Sequence, residues 1–289
     1  MRFGDIVLER YIMSWHDDIR HQLIGNLSNA QDNPVQQLNN ALRLLSKHRS
    51  VLLQNTLIQK QGLIVHQGPF EGLEFIERSS EGCHVPKLLG CYEQPLHKYL
   101  YEIITKDYDT IVNVGCAEGY YAVGLARKMP NTQIHAYDLN PSAIDACKNL
   151  AMKNDVADQV FVEKEFKPSN FKSFINKKTL ILCDIEGAEE QLLDPEVSPE
   201  LAQMDILVEA HDDLKTNISQ TLENRFSTTH TIKFIKDNGQ RNLKGMPAWF
   251  FKLSHLDQLL AVWEWRSGPT PWLIMSPKET EVDKLNASS

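Results

Sequence analysis

At 289 residues, with 42% hydrophobic and 24% charged side chains, the chain has enough apolar material for one large domain or two small ones, which excludes a disordered protein. A formal charge of −8, with basic residues in clusters no longer than 47–49, 177–178 and 233–236, argues against nucleic acid or an anionic membrane surface as the partner. Five cysteines without a CxxC pair, no apolar run near ~18 residues, and an N-terminus interrupted by Asp5, Glu9 and Arg10 together predict a soluble cytoplasmic protein with reduced thiols.

Residues 1–60 read as helical. Leu38, Leu42, Leu45 and Leu52–Leu53 recur near helical spacing after Asn33-Pro34, a helix-start signal. Such a stripe either packs on the parent domain or meets a second copy, so a homodimer is one of the two expectations. Gly62, Gly68, Pro69, Gly72, Gly82, Pro86 and Gly90 predict short strands and turns over 62–92. An amphipathic helix is expected from Leu96 to Ile104.

From Thr110 the pattern changes. Strand-like runs at 110–114, 134–137, 160–162, 179–183 and 206–208 alternate with helix-length segments at 120–128 and 141–153, one around Phe171, and one at 188–193. Pro141 sits where a first helical turn tolerates it. Two further strand candidates follow at 231–235 and 272–275. Short apolar strands alternating with helices predict an α/β fold: a mostly parallel seven-stranded sheet with helices on both faces, joined by right-handed crossovers, plus a helical N-terminal extension. The polar residues after Pro277 are expected to fray.

The most informative segment is Asn113-Val-Gly115-Cys-Ala117-Glu118-Gly119-Tyr, where a strand gives way to a small-residue loop and then a helix. In doubly wound sheets ligands bind outside the carboxyl ends of the strands, where the strand order switches, and small residues let the backbone approach closely. The G-x-A-x-G spacing lacks the third glycine of a dinucleotide loop, which disfavours an oxidoreductase. It suits the amino-acid part of S-adenosylmethionine (SAM), which has no pyrophosphate; a plain structural βα turn is the alternative. Asp138 ends the second strand about 20 residues on, placed either to accept both ribose hydroxyls or to cap the helix at Pro141. Leu139 beside it, and Glu165 within 163–166, are assigned to the adenosine end of the same site.

Together with Cys183-Asp184-Ile-Glu186-Gly187-Ala188-Glu189, these residues resemble the class I SAM-dependent methyltransferases over roughly residues 90–215. The Asp-x-Glu-Gly-Ala-Glu string is similar to the FkbM-type branch. The resemblance implies O-methylation of a sugar, glycan or small natural product, and a domain at 93–277 preceded by a cap or dimerisation region at 1–92 and followed by a tail at 278–289. It also departs from the family: the usual acidic residue opening the first loop is Asn113 here, with Glu118 a candidate to compensate. Glu93, in a region that covers the cofactor in similar enzymes, is a further candidate, against a helix-capping role.

An alcohol acceptor must lose its proton, so a base or metal should lie near the ends of the fourth and fifth strands. Asp184, Glu186, Glu209, His211 and Asp212 gather there, on strand ends about 5 Å apart. In one reading His211 is the base and Asp184 or Glu209 orients it. In another, Asp184, Glu209 and His211 or Asp212 hold Mg²⁺ or Mn²⁺. A purely structural role is the third, and a non-catalytic SAM-binding protein remains the rival to an enzyme. Glu189 reads equally well as a first-turn helix charge. Arg225, His230, Arg241 and the Trp263-Glu-Trp265-Arg266 stretch are candidates for contact with a polar acceptor, although Trp263 and Trp265, if they share a strand face, would instead fill the core.

Overall fold

The computed structural model describes residues 3–77, 83–215, 217–266, 268 and 270–278, with side chains from Trp15 onward. The chain divides into two compact units, one of residues 1–62 with 248–262, the other of residues 63–247 with 263–289.

The first unit is helical. Helices α1 (Phe3–Ser28) and α2 (Pro34–Gln61) form a hairpin. Asn33 starts α2 as the sequence predicts: its side chain accepts the Val35 and Gln36 N–H groups, and the Gln36 side chain returns the bond to the Asn33 N–H, with Pro34 in the first turn. On one side of α2, His48 meets His16 of α1 at 3.0 Å and packs on Trp15. On another, Arg49 grips both oxygens of Asp257 at 2.7 and 2.8 Å.

This fork holds the Asp257 carboxyl below the ordinary carboxylate range, chiefly through its hydrogen bond to Arg49. A depressed acid stabilises the fold above its unfolded pKa, and that contribution disappears as pH falls through the folded value. In urea titrations Asp257→Asn is therefore expected to be less stable than wild type at pH 7, with the gap closing as the pH drops below the usual carboxylate range. A gap that stays constant with pH would contradict this.

The second unit is built on a seven-stranded sheet. After a turn-rich stretch with one antiparallel bridge, Ile64 to Glu74, come α3 (His84–Leu89), a 3-10 turn (Gln94–Leu96) and α4 (His97–Ile104). The sheet then alternates: β1 (Thr110–Val114), α5 (Tyr120–Lys128), β2 (Gln133–Tyr137), α6 (Pro141–Lys153), β3 (Val160–Glu163), a 3-10 turn (Pro168–Phe174), β4 (Thr179–Cys183), α7 (Glu189–Leu192) and β5 (Asp205–Glu209). It ends with α8 (Ile218–Phe226), β6 (His230–Ile235) and β7 (Trp272–Pro277). Helix α9 (His255–Ala261), between β6 and β7 in the chain, belongs to the first unit.

Strand order is β3-β2-β1-β4-β5-β7-β6, parallel except for β7, which runs antiparallel to both of its neighbours. Strands β1 and β4 are buried along their whole length and apolar except at Thr110, Asn113 and Thr179, as strands covered on both faces require. Val112, Val114, Ile181, Cys183, Ile206 and Val208 share one face with Phe171, Phe226 and Leu273. By strand alternation Asn113, Leu182 and Glu209 lie on the other face.

Three expectations are corrected. The 62–92 stretch contains a helix, α3, whose six residues are all buried; Pro86 sits in its first turn, where its missing N–H costs nothing. Two helices, α8 and α9, arise where no helix was expected. Trp263 and Trp265 lie in irregular chain instead of a strand, with Trp265 in the left-handed region at φ 62°. All five cysteines are buried and free. Among the described residues no helix is long and apolar enough to cross a membrane.

Candidate active site

The strand order switches between β1 and β4, and the predicted loop lies at their carboxyl ends. The N–H groups of Gly115 and Cys116 both donate to the Tyr137 carbonyl at 2.9 Å, and the Asp184 N–H donates to the Val114 carbonyl at 3.0 Å. Gly115, Ala117 and Gly119 all take positive φ, at 77°, 46° and 92°. This left-handed series folds the loop back before α5 begins. At Gly115 no side chain fits: a Cβ would stand 1.6 Å from the Asp184 carbonyl oxygen. At Gly119 it would stand 2.7 Å from Cys147 Sγ.

Asp138 belongs to this loop. Its Oδ2 accepts the Ala117 N–H at 2.9 Å and its Oδ1 the Asn140 N–H at 2.8 Å, whereas the first turn of α6 is capped by Asn140, not Asp138. Each carboxylate oxygen keeps a second lone pair. Leu139 is 68% exposed beside it, a large apolar side chain turned to solvent at the strand end. Asn113 is buried within β1, and neither its amide nitrogen nor its oxygen has a hydrogen-bond partner. A buried orphaned amide costs free energy unless a ligand satisfies it. The tight glycine cradle, the Asp138 carboxylate and this unmet amide fit an aminoacyl nucleoside such as SAM.

Of the other predicted cofactor residues, one is held elsewhere and one lies at the surface. Glu118 is fully buried and paired with Lys87 of α3, so it neither faces water nor takes the place of the missing acid. Glu165 is exposed and pairs with Lys167 at 3.2 Å.

Beyond the loop lies a carboxylate cluster centred on His211. Its Nδ1 is 2.8 Å from Glu189 Oε1, which also accepts the Gly187 N–H at 3.0 Å and the Ile185 N–H at 3.3 Å. Its Nε2 lies 3.4 Å from Glu186, 3.6 Å from Asp184 and 3.9 Å from Glu209. Burial works against a charged imidazole, but the Glu189 bond and the charges of Glu209, Glu189 and Glu186 raise its pKa above the ordinary value. Burial also works against the Glu189 charge, yet the bonds from His211 and Gly187 outweigh it and lower that pKa. Asp184 goes the other way: burial, then Glu209, Glu93 and Glu186, push its carboxyl well above the usual range.

Glu189 was legible in the sequence only as a helix-start charge. The structure turns its fully buried side chain back over Gly187 to His211, a contact made possible by left-handed backbone at Glu186 (φ 54°) and Gly187 (φ 99°). The donor atoms of Asp184, Glu186 and His211 all lie within 4.8 Å of one another. Glu209, expected among the ligands, is instead held through Oε1 by Arg266 and Thr270. Asp212 is committed to Ser219, at 2.9 and 2.6 Å.

Arg266 also pairs with Glu93 and, at 3.2 Å, with Glu264. Glu93 is 2% exposed, has φ 48°, and accepts the Tyr121 hydroxyl. Burial, reinforced by the Glu209 charge, pushes its carboxyl up to about 7, against the opposing pull of Arg266 and Tyr121. Glu93 thus belongs to a buried charge network at the edge of the site, and it does not cap a helix through its side chain.

The other candidates for contact with an acceptor are occupied. Arg241 is paired with Asp237 and Glu264. Arg225 donates to the Glu190 and Leu193 carbonyls around the end of α7. His230 is buried against the Met204 carbonyl at 3.0 Å.

The sheet order, with one reversed strand and a glycine turn at the switch point, defines a Rossmann-like fold of the class I methyltransferase type. No protein-family model matches the chain. It is similar to a bifunctional methyltransferase of Rickettsia bellii, 27% identical over 130 residues, a match covering 45% of this chain and 22% of that protein. The chain therefore spans only about a fifth of the length of this curated relative. Similar solved structures include an O-methyltransferase from Bacillus cereus in complex with SAH (11% identity, 89% of this chain, 96% of that one, TM-score 0.44). Another is the O-methyltransferase TomG from Streptomyces achromogenes, involved in tomaymycin synthesis, in complex with SAM (11%, 65%, 80%, TM-score 0.43).

Proposed function

We propose that this chain is a SAM-dependent methyltransferase that methylates a hydroxyl on a small molecule or glycan. The observation that carries this reading is the pairing of a left-handed glycine turn with a Glu189-oriented His211 about the end of the adjacent strand. Asn113, Gly115, Ala117, Gly119, Asp138 and Leu139 would hold the cofactor, which when bound supplies an electrophilic methyl group on a sulfonium sulfur. Glu189 fixes Nδ1 of His211 and leaves Nε2 facing the acidic side, where it takes the proton of the acceptor hydroxyl. A second reading rests on donor spacing: Asp184, Glu186 and His211 suit Mg²⁺ or Mn²⁺, which would polarise the same hydroxyl. Placement in the FkbM-type branch is supported by the Asp184–Glu189 string, and a cytoplasmic setting by the five free thiols.

The test is calorimetric titration with SAM and SAH, followed by release of SAH from labelled SAM over a pool of hydroxylated acceptors. Asp138→Ala should weaken SAH binding by about 1–3 kcal/mol, from lost charge-assisted bonds to ligand and loop. His211→Ala should leave SAH affinity largely intact while turnover falls by about 10²–10⁴. No saturable uptake of either ligand by wild type would end the proposal. Absence of heat and of rate gain with Mg²⁺ and Mn²⁺ would remove the metal reading alone.

A further inference from the structure

Eighteen large hydrophobic side chains are exposed among the described residues, and six of them lie between positions 24 and 45: Ile24, Leu27, Val35, Leu38, Leu42 and Leu45, each 44–66% exposed. They belong to the α1–α2 hairpin. On α2 the spacing is three, four, three, which places Val35, Leu38, Leu42 and Leu45 on one face. The side of α2 turned to α1 is a different one, marked by His48, which meets His16. The seam ends where the next heptad position is Arg49, already committed to Asp257.

The flanks of this patch are unusual for this chain. From 22 to 42 the only charged residue is Asp32, and its carboxylate is engaged at the hairpin tip by Asn29 and Asn40, both at 3.1 Å. The other polar side chains along α2 up to Leu42 are Gln36, Gln37, Asn39 and Asn40. We propose that this uncharged face of the α1–α2 hairpin is where two copies of the chain pair, as a symmetric four-helix contact. A two-fold interface sets a surface against itself, so every charge on it meets its own sign. For a protein with net charge −8, a neutral patch is the surface that a second copy tolerates best. A partner selected by charge would find nothing here to recognise. Size also fits. Six half-exposed aliphatic side chains with their amide flanks offer on the order of 800 Å², about what one partner contributes to a standard interface and more than a monomer usually leaves open.

Light scattering and sedimentation velocity on the full chain are expected to give twice the mass of one chain at micromolar concentration. Leu38→Glu with Leu42→Glu should raise the dimer dissociation constant by about 100-fold or more while keeping the helical signal of the folded chain, since both side chains face water in the single chain. Mixing that chain with one carrying Leu38→Lys and Leu42→Lys should restore a heterodimer. If the Glu chain loses helical signal, Leu38→Ser with Leu42→Ser supplies the same reading without added charge. A wild-type protein that stays monomeric throughout, or variants that remain dimeric, overturns the proposal. Either result leaves the SAM-binding test untouched.

Discussion

Gly115→Ala is expected to abolish high-affinity SAH binding and to destabilise the fold severely. Two costs combine at this position. The first is backbone: φ 77° puts Cβ against its own chain, for about 1–2 kcal/mol. The second is steric, because the added carbon would stand 1.6 Å from the Asp184 carbonyl oxygen and 2.7 Å from its carbonyl carbon. Neither atom is the end of a flexible side chain. The Asp184 N–H is bonded to the Val114 carbonyl, so relief requires the ends of β1 and β4 to part, which displaces the loop and the cluster around His211 together. A further cost of about 1–3 kcal/mol is expected from such overpacking, and SAH affinity should fall by about 100-fold or more. Gly62→Ala separates the two causes. Gly62 also has positive φ, 73°, with open space around it, and its ψ of −159° is populated almost only by glycine, so that variant should lose a backbone share of about 1–3 kcal/mol with no steric share and keep its affinity. Calorimetry and urea unfolding of both proteins decide the matter: equal losses in the two variants, or SAH binding by Gly115→Ala near the wild-type level, would contradict the close approach of β1 and β4.

The sheet was readable in the sequence because its central strands are buried on both sides. Such strands are dominated by apolar residues, and the runs at 110–114 and 179–183 end where the observed strands end. Pro141 marks the start of α6 for a similar reason: a fixed φ and a missing N–H are tolerated in a first turn. What stayed hidden depends on side chains that meet across the fold. Glu189 sits where any helix would welcome an acid, and its reach back to His211 follows from the left-handed backbone at Glu186, which no composition rule marks. Arg266 lies 57 residues from Glu209 and 173 from Glu93, so their network has no local signature. The α2 stripe shows the limit from the other side. Its spacing was plain, yet periodicity cannot separate a face that packs from one left open, and α2 has both: Leu53 is buried, whereas Leu38 and Leu42 are exposed.

The pairing of Lys87 with Glu118 leads to the other large expected effect. Both side chains are almost completely buried, 5% and 0% exposed, and the ammonium also lies 5.0 Å from the Tyr92 ring centroid and 5.8 Å from that of Tyr120. Burial alone would lower the Lys87 pKa, but Glu118 reverses this and the group stays charged. Removing one partner strands a charge in a low-dielectric interior, so Lys87→Met and Glu118→Gln are each expected to cost about 3–5 kcal/mol. The double variant removes both charges of the pair together and should be more stable than either single one, a coupling that a double-mutant cycle from urea titrations measures directly. Because Glu118 stands between Ala117 and Gly119, the same cycle reaches the cofactor loop. Lys87→Met should weaken SAH binding even though α3 contributes none of the residues assigned to the ligand, and the double variant should recover part of that affinity. Single variants that each cost under about 1 kcal/mol, the range of a solvent-exposed pair, would show that water reaches these charges and that the loop is anchored by other contacts.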